Sequence, residues 1–160
     1  TDALTGLYNK ETTEQLTDEL LSEDENKYHA FLILDVDCFK QINDIYGHAV
    51  GDIVLQKFGK LLKGTFREGD ILGRIGGDEF GVIMKNIQTK DIAMKKAEEL
   101  LAKTQAYKID ELKGNNISIS IGISTAPQDG DCYMDLYKRA DQALYQAKRS
   151  GKARVCNYFS

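Results

Sequence analysis

The 160-residue sequence predicts an α/β (α+β) fold: one central mixed sheet of about five strands flanked by helices. Three observations carry this expectation. The uninterrupted apolar run at residues 30–34 has strand length and reads as a central strand covered on both faces. Two further apolar runs, 71–75 and 80–84, flank Gly76-Gly77-Asp78-Glu79, so they read as a hairpin with that sequence at its turn. Segments with apolar residues at helical spacing lie before, between and after these strands.

Taken in order, residues 10–22 place Leu16, Leu20 and Leu21 on one helical face and end in a charged loop at 22–27. The strand at 30–34 follows, with Asp35-Val36-Asp37 at its exit. Residues 38–46 predict a short helix, and a longer one begins at Val50, carrying Ile53, Val54, Phe58, Leu61 and Leu62. After the hairpin, Thr89 is expected to cap a helix whose apolar positions are Ile92, Ala93, Ala97, Leu100 and Leu101. Ile117, Ile119, Ile121 and Ile123 alternate with other residues, which is a strand pattern. The last helix, about 132–149, has Leu136, Ala140, Ala143, Leu144 and Ala147 on one stripe, and a short strand is expected at 153–158. The order α-β-α-α-β-β-α-β-α-β, with a hairpin between helical crossovers, fits a ferredoxin-like arrangement better than a doubly wound sheet.

Length and composition bound what such a domain does. One proline, no repeat and no low-complexity stretch argue for a single domain over residues 1–160. A formal charge of −4 argues against a broad surface for a nucleic acid polymer. Cys38, Cys132 and Cys156 are odd in number and far apart, so they read as reduced thiols of a cytoplasmic domain, without a disulfide framework or zinc site. No apolar run approaches transmembrane length, so no membrane contact is expected of this domain. Thr1-Asp2 without an initiator Met reads as a domain excised from a longer protein.

The chemistry-bearing residues cluster around the strand ends. Asp35 and Asp37 close the first strand, and Asp35 can meet Asp78 if that strand neighbours the hairpin. Oxygen ligands without His or Cys suit Mg²⁺, which usually arrives with substrate phosphates. The helix opened by Cys38, Phe39 and Lys40 offers free backbone N–H groups and a cationic side chain to an anion. Asn43 and Asp52 pair an amide with a carboxylate, a combination able to read guanine, although Asp52 is equally an ordinary first-turn acid. His48 reads as a packing residue. Lys148, Arg149, Lys152 and Arg154 follow the last helix, either compensating its dipole or neutralising phosphates.

With these residues in place the chain resembles the GGDEF-domain family, the diguanylate cyclases, along essentially its whole length. The matching segments are Asp2-Ala3-Leu4-Thr5-Gly6-Leu7-Tyr8-Asn9, then Asp35-Val36-Asp37 with Phe39-Lys40. Asn43-Asp44, Tyr46-Gly47-His48, Gly51-Asp52 and Gly76-Gly77-Asp78-Glu79-Phe80 come next. Ser120-Ile121-Gly122, the run from Ala140 to Lys148, and Gly151-Lys152 complete the set.

The resemblance implies a nucleotidyl-cyclase or polymerase palm-like fold and condensation of two GTP into cyclic di-GMP and two pyrophosphates. It implies that Asp35, the carbonyl of Val36 and Asp78 bind Mg²⁺, two ions per active site, with Mn²⁺ as an alternative. Glu79 is implied as a further metal ligand or as the base acting on the 3′-hydroxyl. Gly76 and Gly77 would let the turn approach ribose and phosphates. Lys40, the amides of Cys38 and Phe39, Lys148 and Lys152 would hold the outer phosphates, and Asn43 and Asp52 would read guanine. One domain holds one GTP, so the reaction requires a homodimer, and an upstream sensor or receiver domain is expected to control it.

Arg67-Glu68-Gly69-Asp70 matches the family's R-x-x-D motif, which implies a second site, through Arg67 and Asp70, where cyclic di-GMP inhibits its own synthesis. Lys10 and Lys152 stand where the family commonly has Arg, which replaces a bidentate contact by a single one. Two alternatives stay open: a catalytically silent module that binds GTP or cyclic di-GMP, and a cyclase that accepts ATP.

Overall fold

The computed structural model describes residues 1–23 and 27–158, so residues 24–26 of the expected charged loop lie outside the described residues. Five helices are described: α1 (Lys10–Glu23), α2 (Phe39–Tyr46), α3 (His48–Thr65), α4 (Lys90–Ala106) and α5 (Tyr133–Arg149). The strands are β1 (Tyr28–Val36), β2 (Ile71–Arg74), β3 (Glu79–Ile87), β4 (Lys108–Ile109), β5 (Asn115–Asn116), β6 (Ile119–Ala126) and β7 (Val155–Asn157). The main sheet has five strands in the order β2-β3-β1-β6-β7. β1 is antiparallel to both β3 and β6, β2 is antiparallel to β3, and β7 runs parallel to β6, so the sheet is mixed as expected.

Alternation along the strands divides the core into two layers. Leu32, Leu34, Phe80, Val82, Ile121 and Ile123 face α3 and α4, where Val54, Phe58, Leu62, Ala97 and Leu100 meet them. Phe31, Ile33, Ile71 and Ile83 face the opposite layer, built by Leu20 and Leu21 of α1 and Tyr133, Leu136, Ala140 and Leu144 of α5. The small residues between the isoleucines of β6 have a packing reason. A Cβ at Gly122 would fall 2.2 Å from the carbonyl oxygen of Ala140, so only glycine lets α5 lie this close to the sheet.

Several boundaries differ from expectation. β1 starts at Tyr28 and continues to Val36, and α3 starts at His48 because Gly47, at φ 93°, ends α2 and lets α3 begin at the next residue. Ile117 is buried but precedes β6. Thr89 stands at the N-terminus of α4 without making a side-chain capping bond. The two-stranded β4–β5 ribbon, with a 3₁₀ turn at Asp110–Leu112, was not expected; its Lys108–Ile109 and Asn115–Asn116 strands are too short to show alternation. Among the described residues no helix is long and apolar enough to cross a membrane.

Candidate active site: acids beneath α5

The antiparallel register of β1 and β3 sets Asp35 directly opposite Glu79. The two side chains therefore leave the same face, the one covered by α5. Asp78 adjoins them at the hairpin turn, where its carbonyl accepts from the Val36 amide at 3.4 Å. Burial pushes the Asp35 carboxyl up to about 6, the adjacent Asp78 carboxylate adds to the shift, and a bond from Lys148 Nζ only partly offsets both. Among the described residues Asp35 Oδ1 is buried without a hydrogen-bond partner. Burial likewise raises the Glu79 carboxyl; a bond from Tyr137 opposes this, while Asp35 and Asp141 reinforce it. Burial works against the Lys148 charge, yet its bond to Asp35 holds the ammonium above its usual value. Crowded carboxylates with an orphaned buried oxygen form a set of hard donors short of positive charge, which fits a divalent cation such as Mg²⁺.

α5 supplies two side chains that bond to these acids. Tyr137 and Lys148 lie about three turns apart on one face of that helix. The Tyr137 hydroxyl donates to Glu79 Oε1 at 2.8 Å. Lys148 was expected at the phosphates; here it is paired with Asp35.

Asp37 takes no part in this cluster. Its oxygens accept from Ser118 Oγ at 2.5 Å, Ser120 Oγ at 2.6 Å and the Ala153 amide at 3.1 Å, so it ties the β1–α2 junction to β6 and to the segment before β7. Cys38 then turns the chain into α2 with φ 56°, and its thiol lies 3.3 Å from Lys152 Nζ. The structure thus brings Cys38 and Lys152 together at the start of α2, with Phe39 and Lys40 in its first turn. Asn43 leaves Oδ1 buried without a partner, close to Gly51, where an added Cβ would lie 1.9 Å from that oxygen. Asp52 is exposed one residue further on. His48, expected as a packing residue, is exposed because it opens α3 at the solvent side.

The turn itself is held by a residue that sequence reasoning did not single out. Arg74 Nη2 and Nε donate to the Gly77 carbonyl at 2.7 and 3.1 Å, while Nη1 reaches Asp2 Oδ1 at 3.2 Å. Asp2 also accepts from the Thr5 amide and hydroxyl; although burial works the other way, these bonds and Arg74 hold its carboxyl below the usual range. A lone Arg between an apolar strand and a double glycine was the available signal. At Gly77 a Cβ would meet nothing within 4 Å, so internal packing does not demand glycine there.

Arg67 and Asp70 form a separate corner before β2. Asp70 Oδ1 accepts from Arg67 Nη2 at 3.2 Å and from the Lys85 amide at 3.1 Å, and Oδ2 accepts from the Arg67 amide at 3.2 Å. Its side chain is 1% exposed, whereas that of Arg67 is 60% exposed. Asp70 therefore spends both oxygens on the corner, and of the pair it is Arg67 that faces solvent, beside a recess of about 320 Å³ also lined by Asn86 and Lys96.

Comparison with known proteins gives the family and the fold. Residues 1–154 match the family described as "Diguanylate cyclase, GGDEF domain". Diguanylate cyclase A of Treponema denticola is 40% identical over 127 residues, covering 79% of this chain and 34% of that protein. Among solved structures, the GGDEF domain of PA1120 (TpbB or YfiN) from Pseudomonas aeruginosa superposes with a TM-score of 0.93 at 33% identity, covering 99% of this chain and 94% of that one. The GGDEF domain of DgcB from Caulobacter crescentus, solved in complex with c-di-GMP, gives 0.89 at 27% identity, covering 98% and 94%. The chain spans 34% to 50% of the length of these curated relatives. A family match over residues 1–154, joined to a palm-like sheet that sets Asp35, Asp78 and Glu79 together at a double-glycine turn, places the chain in the GGDEF-domain family of diguanylate cyclases.

Proposed function

We propose that this domain condenses two GTP molecules into cyclic di-GMP and two pyrophosphates, each protomer of a homodimer holding one GTP. The observation that carries the reading is the partnerless, buried Oδ1 of Asp35 among Asp78 and Glu79. Such an arrangement costs stability unless a cation completes it. Asp35, the Val36 carbonyl, Asp78 and Glu79 would hold Mg²⁺ or Mn²⁺, two ions when the site is fully loaded. Once bound, the cations neutralise charge on the α-phosphate and on the pyrophosphate leaving group.

The chain's own residues do the rest. The Cys38 and Phe39 amides, Lys40 and Lys152 would surround the outer phosphates, and the Lys148 ammonium, paired with Asp35 here, would add its charge to them. Open space at Gly77 lets the Gly76-Gly77 turn approach the ribose. Asn43 Oδ1 and Asp52 accept from the guanine N–H groups, which favours GTP over ATP. In each half-reaction a 3′-oxygen bonds to the partner's α-phosphorus and the bond to the β-phosphate oxygen breaks. The 3′-hydroxyl proton leaves to a base, a role open to Glu79, and repetition closes the ring. Because each 3′-hydroxyl must reach the other protomer's phosphate, a sensor or receiver region elsewhere in the full protein would control turnover by controlling dimerisation. Arg67, held by Asp70, would bind a guanine of the product and slow the enzyme.

The test is direct. The pure chain is incubated with GTP, or GTP plus ATP, and Mg²⁺ at several protein concentrations, and the nucleotides are separated by chromatography. Cyclic di-GMP formed with steeper than linear dependence on protein supports the proposal. GTP bound but never consumed, even under forced dimerisation, replaces it with a silent binding module.

A further inference from the structure

We infer that Tyr137 is a positioning residue for the cyclase reaction: it holds Glu79 by Oε1, so that Oε2 alone is presented to the reacting 3′-hydroxyl. The inference rests on the proposed cyclase activity and assigns a role to a residue outside the motif segments that define the family resemblance. Three observations carry it. The Tyr137 hydroxyl lies 2.8 Å from Glu79 Oε1. The ring that carries this hydroxyl is fixed on two sides, stacked on Tyr133 at 5.9 Å and meeting the edge of Phe31 at 6.5 Å. Phe31 in turn packs edge-on against Tyr133 at 5.4 Å, so the three rings form one wedge between β1 and α5. Phe31, two pairs of residues before Asp35, leaves β1 on the same face as that acid.

A glutamate has three side-chain torsions, and at a turn it samples many positions. Tying one oxygen to a half-buried ring packed on two sides removes much of that freedom before substrate arrives. It also occupies one lone pair of Oε1, so Oε2 is the oxygen left without a bond to Tyr137 and turned to the site. That geometry suits transfer of one proton from a 3′-hydroxyl to Oε2. A second consequence concerns α5 as a whole. The β1–β3 register sets Asp35 opposite Glu79, and the helix that holds Asp35 through Lys148 also holds Glu79 through Tyr137, so one element orients both carboxylates.

Tyr137→Phe removes the hydroxyl and keeps the ring. Turnover is measured at saturating protein and Mg²⁺ over a range of GTP, and Mn²⁺ binding is followed by its free-ion paramagnetic signal in the presence of a non-reacting α,β-methylene GTP analogue. The expected result is a fall in kcat of about 10- to 100-fold with KM for GTP and the Mn²⁺ affinity each within about twofold. In a Glu79→Asp background, whose shorter side chain no longer reaches Tyr137, the same substitution is expected to have no further effect. An unchanged kcat overturns the inference, as do parallel changes in kcat, KM and melting temperature, which mark a purely structural role. Absence of cyclic di-GMP from the unaltered chain in the same assay refutes the cyclase reading instead, so the two failures are told apart.

Discussion

At the base of the β2–β3 hairpin, Asp70 gives both carboxylate oxygens to the protein, three bonds in all, and the result is a closed corner that aims one arginine at solvent. At the tip of the same hairpin, Asp35, Asp78 and Glu79 crowd together with one oxygen buried and unpartnered. Two residues past Asp35 the contrast repeats, since Asp37 is saturated by Ser118, Ser120 and Ala153. Saturated acids hold the fold, whereas unsaturated buried acids are held by the fold for something else. Neighbouring carboxylates in one sequence motif thus do different work, and hydrogen-bond satisfaction separates them.

Substitutions sharpen this contrast because they should move stability in opposite directions. The largest effect is expected from Asp35→Asn, which should lower cyclic di-GMP formation by about a thousandfold or more through loss of a metal ligand. The same change should stabilise the metal-free chain at pH 7 by about 1–3 kcal/mol. The folded carboxyl titrates at about 6 against 3.8 unfolded, so the folded state holds the proton more tightly. Stability of the unaltered, metal-free chain therefore falls as pH rises from 3.8 to about 6 and is level above that. The advantage of Asp35→Asn should accordingly vanish near pH 4, as read by urea unfolding in chelator across that range. Equal stability of the two chains at pH 7 would remove the distinction drawn between the acids.

Asp70→Ala should go the other way, costing about 2–4 kcal/mol in the same unfolding experiment, because it strands the Lys85 amide and releases Arg67. Arg67→Ala should change stability by less than about 1 kcal/mol, since its side chain is mostly exposed. Its effect belongs in a product titration: added cyclic di-GMP should slow the unaltered chain and leave the Arg67→Ala chain nearly unaffected. Identical inhibition of both would dissociate Arg67 from product binding.

The sheet and most helices were legible because their signals are local and strong. The apolar run at 30–34, the alternating isoleucines and the double-glycine turn each point to one element, whereas the register that sets Asp35 opposite Glu79 came only from the folded sheet. The β4–β5 ribbon escaped because two-residue strands carry no period. Arg74 and Tyr137 escaped for a different reason: Arg74 reaches Asp2 and Tyr137 reaches Glu79, partners far away in sequence, and nothing beside Tyr137 marks it among ordinary helical aromatics. Saturation of Asp37 and Asp70 was also illegible, since it depends on Ser118, Ser120 and Lys85, whose approach only folding creates.

The central claim, that the unsaturated acids beneath α5 perform phosphoryl chemistry on GTP, is tested most directly by Glu79→Gln. GTP affinity and cyclic di-GMP formation are measured side by side on the unaltered and substituted chains. Turnover is expected to fall by about a thousandfold or more with GTP affinity within about threefold, because the amide keeps the shape and loses the basic oxygen. Undiminished turnover in Glu79→Gln would contradict the account.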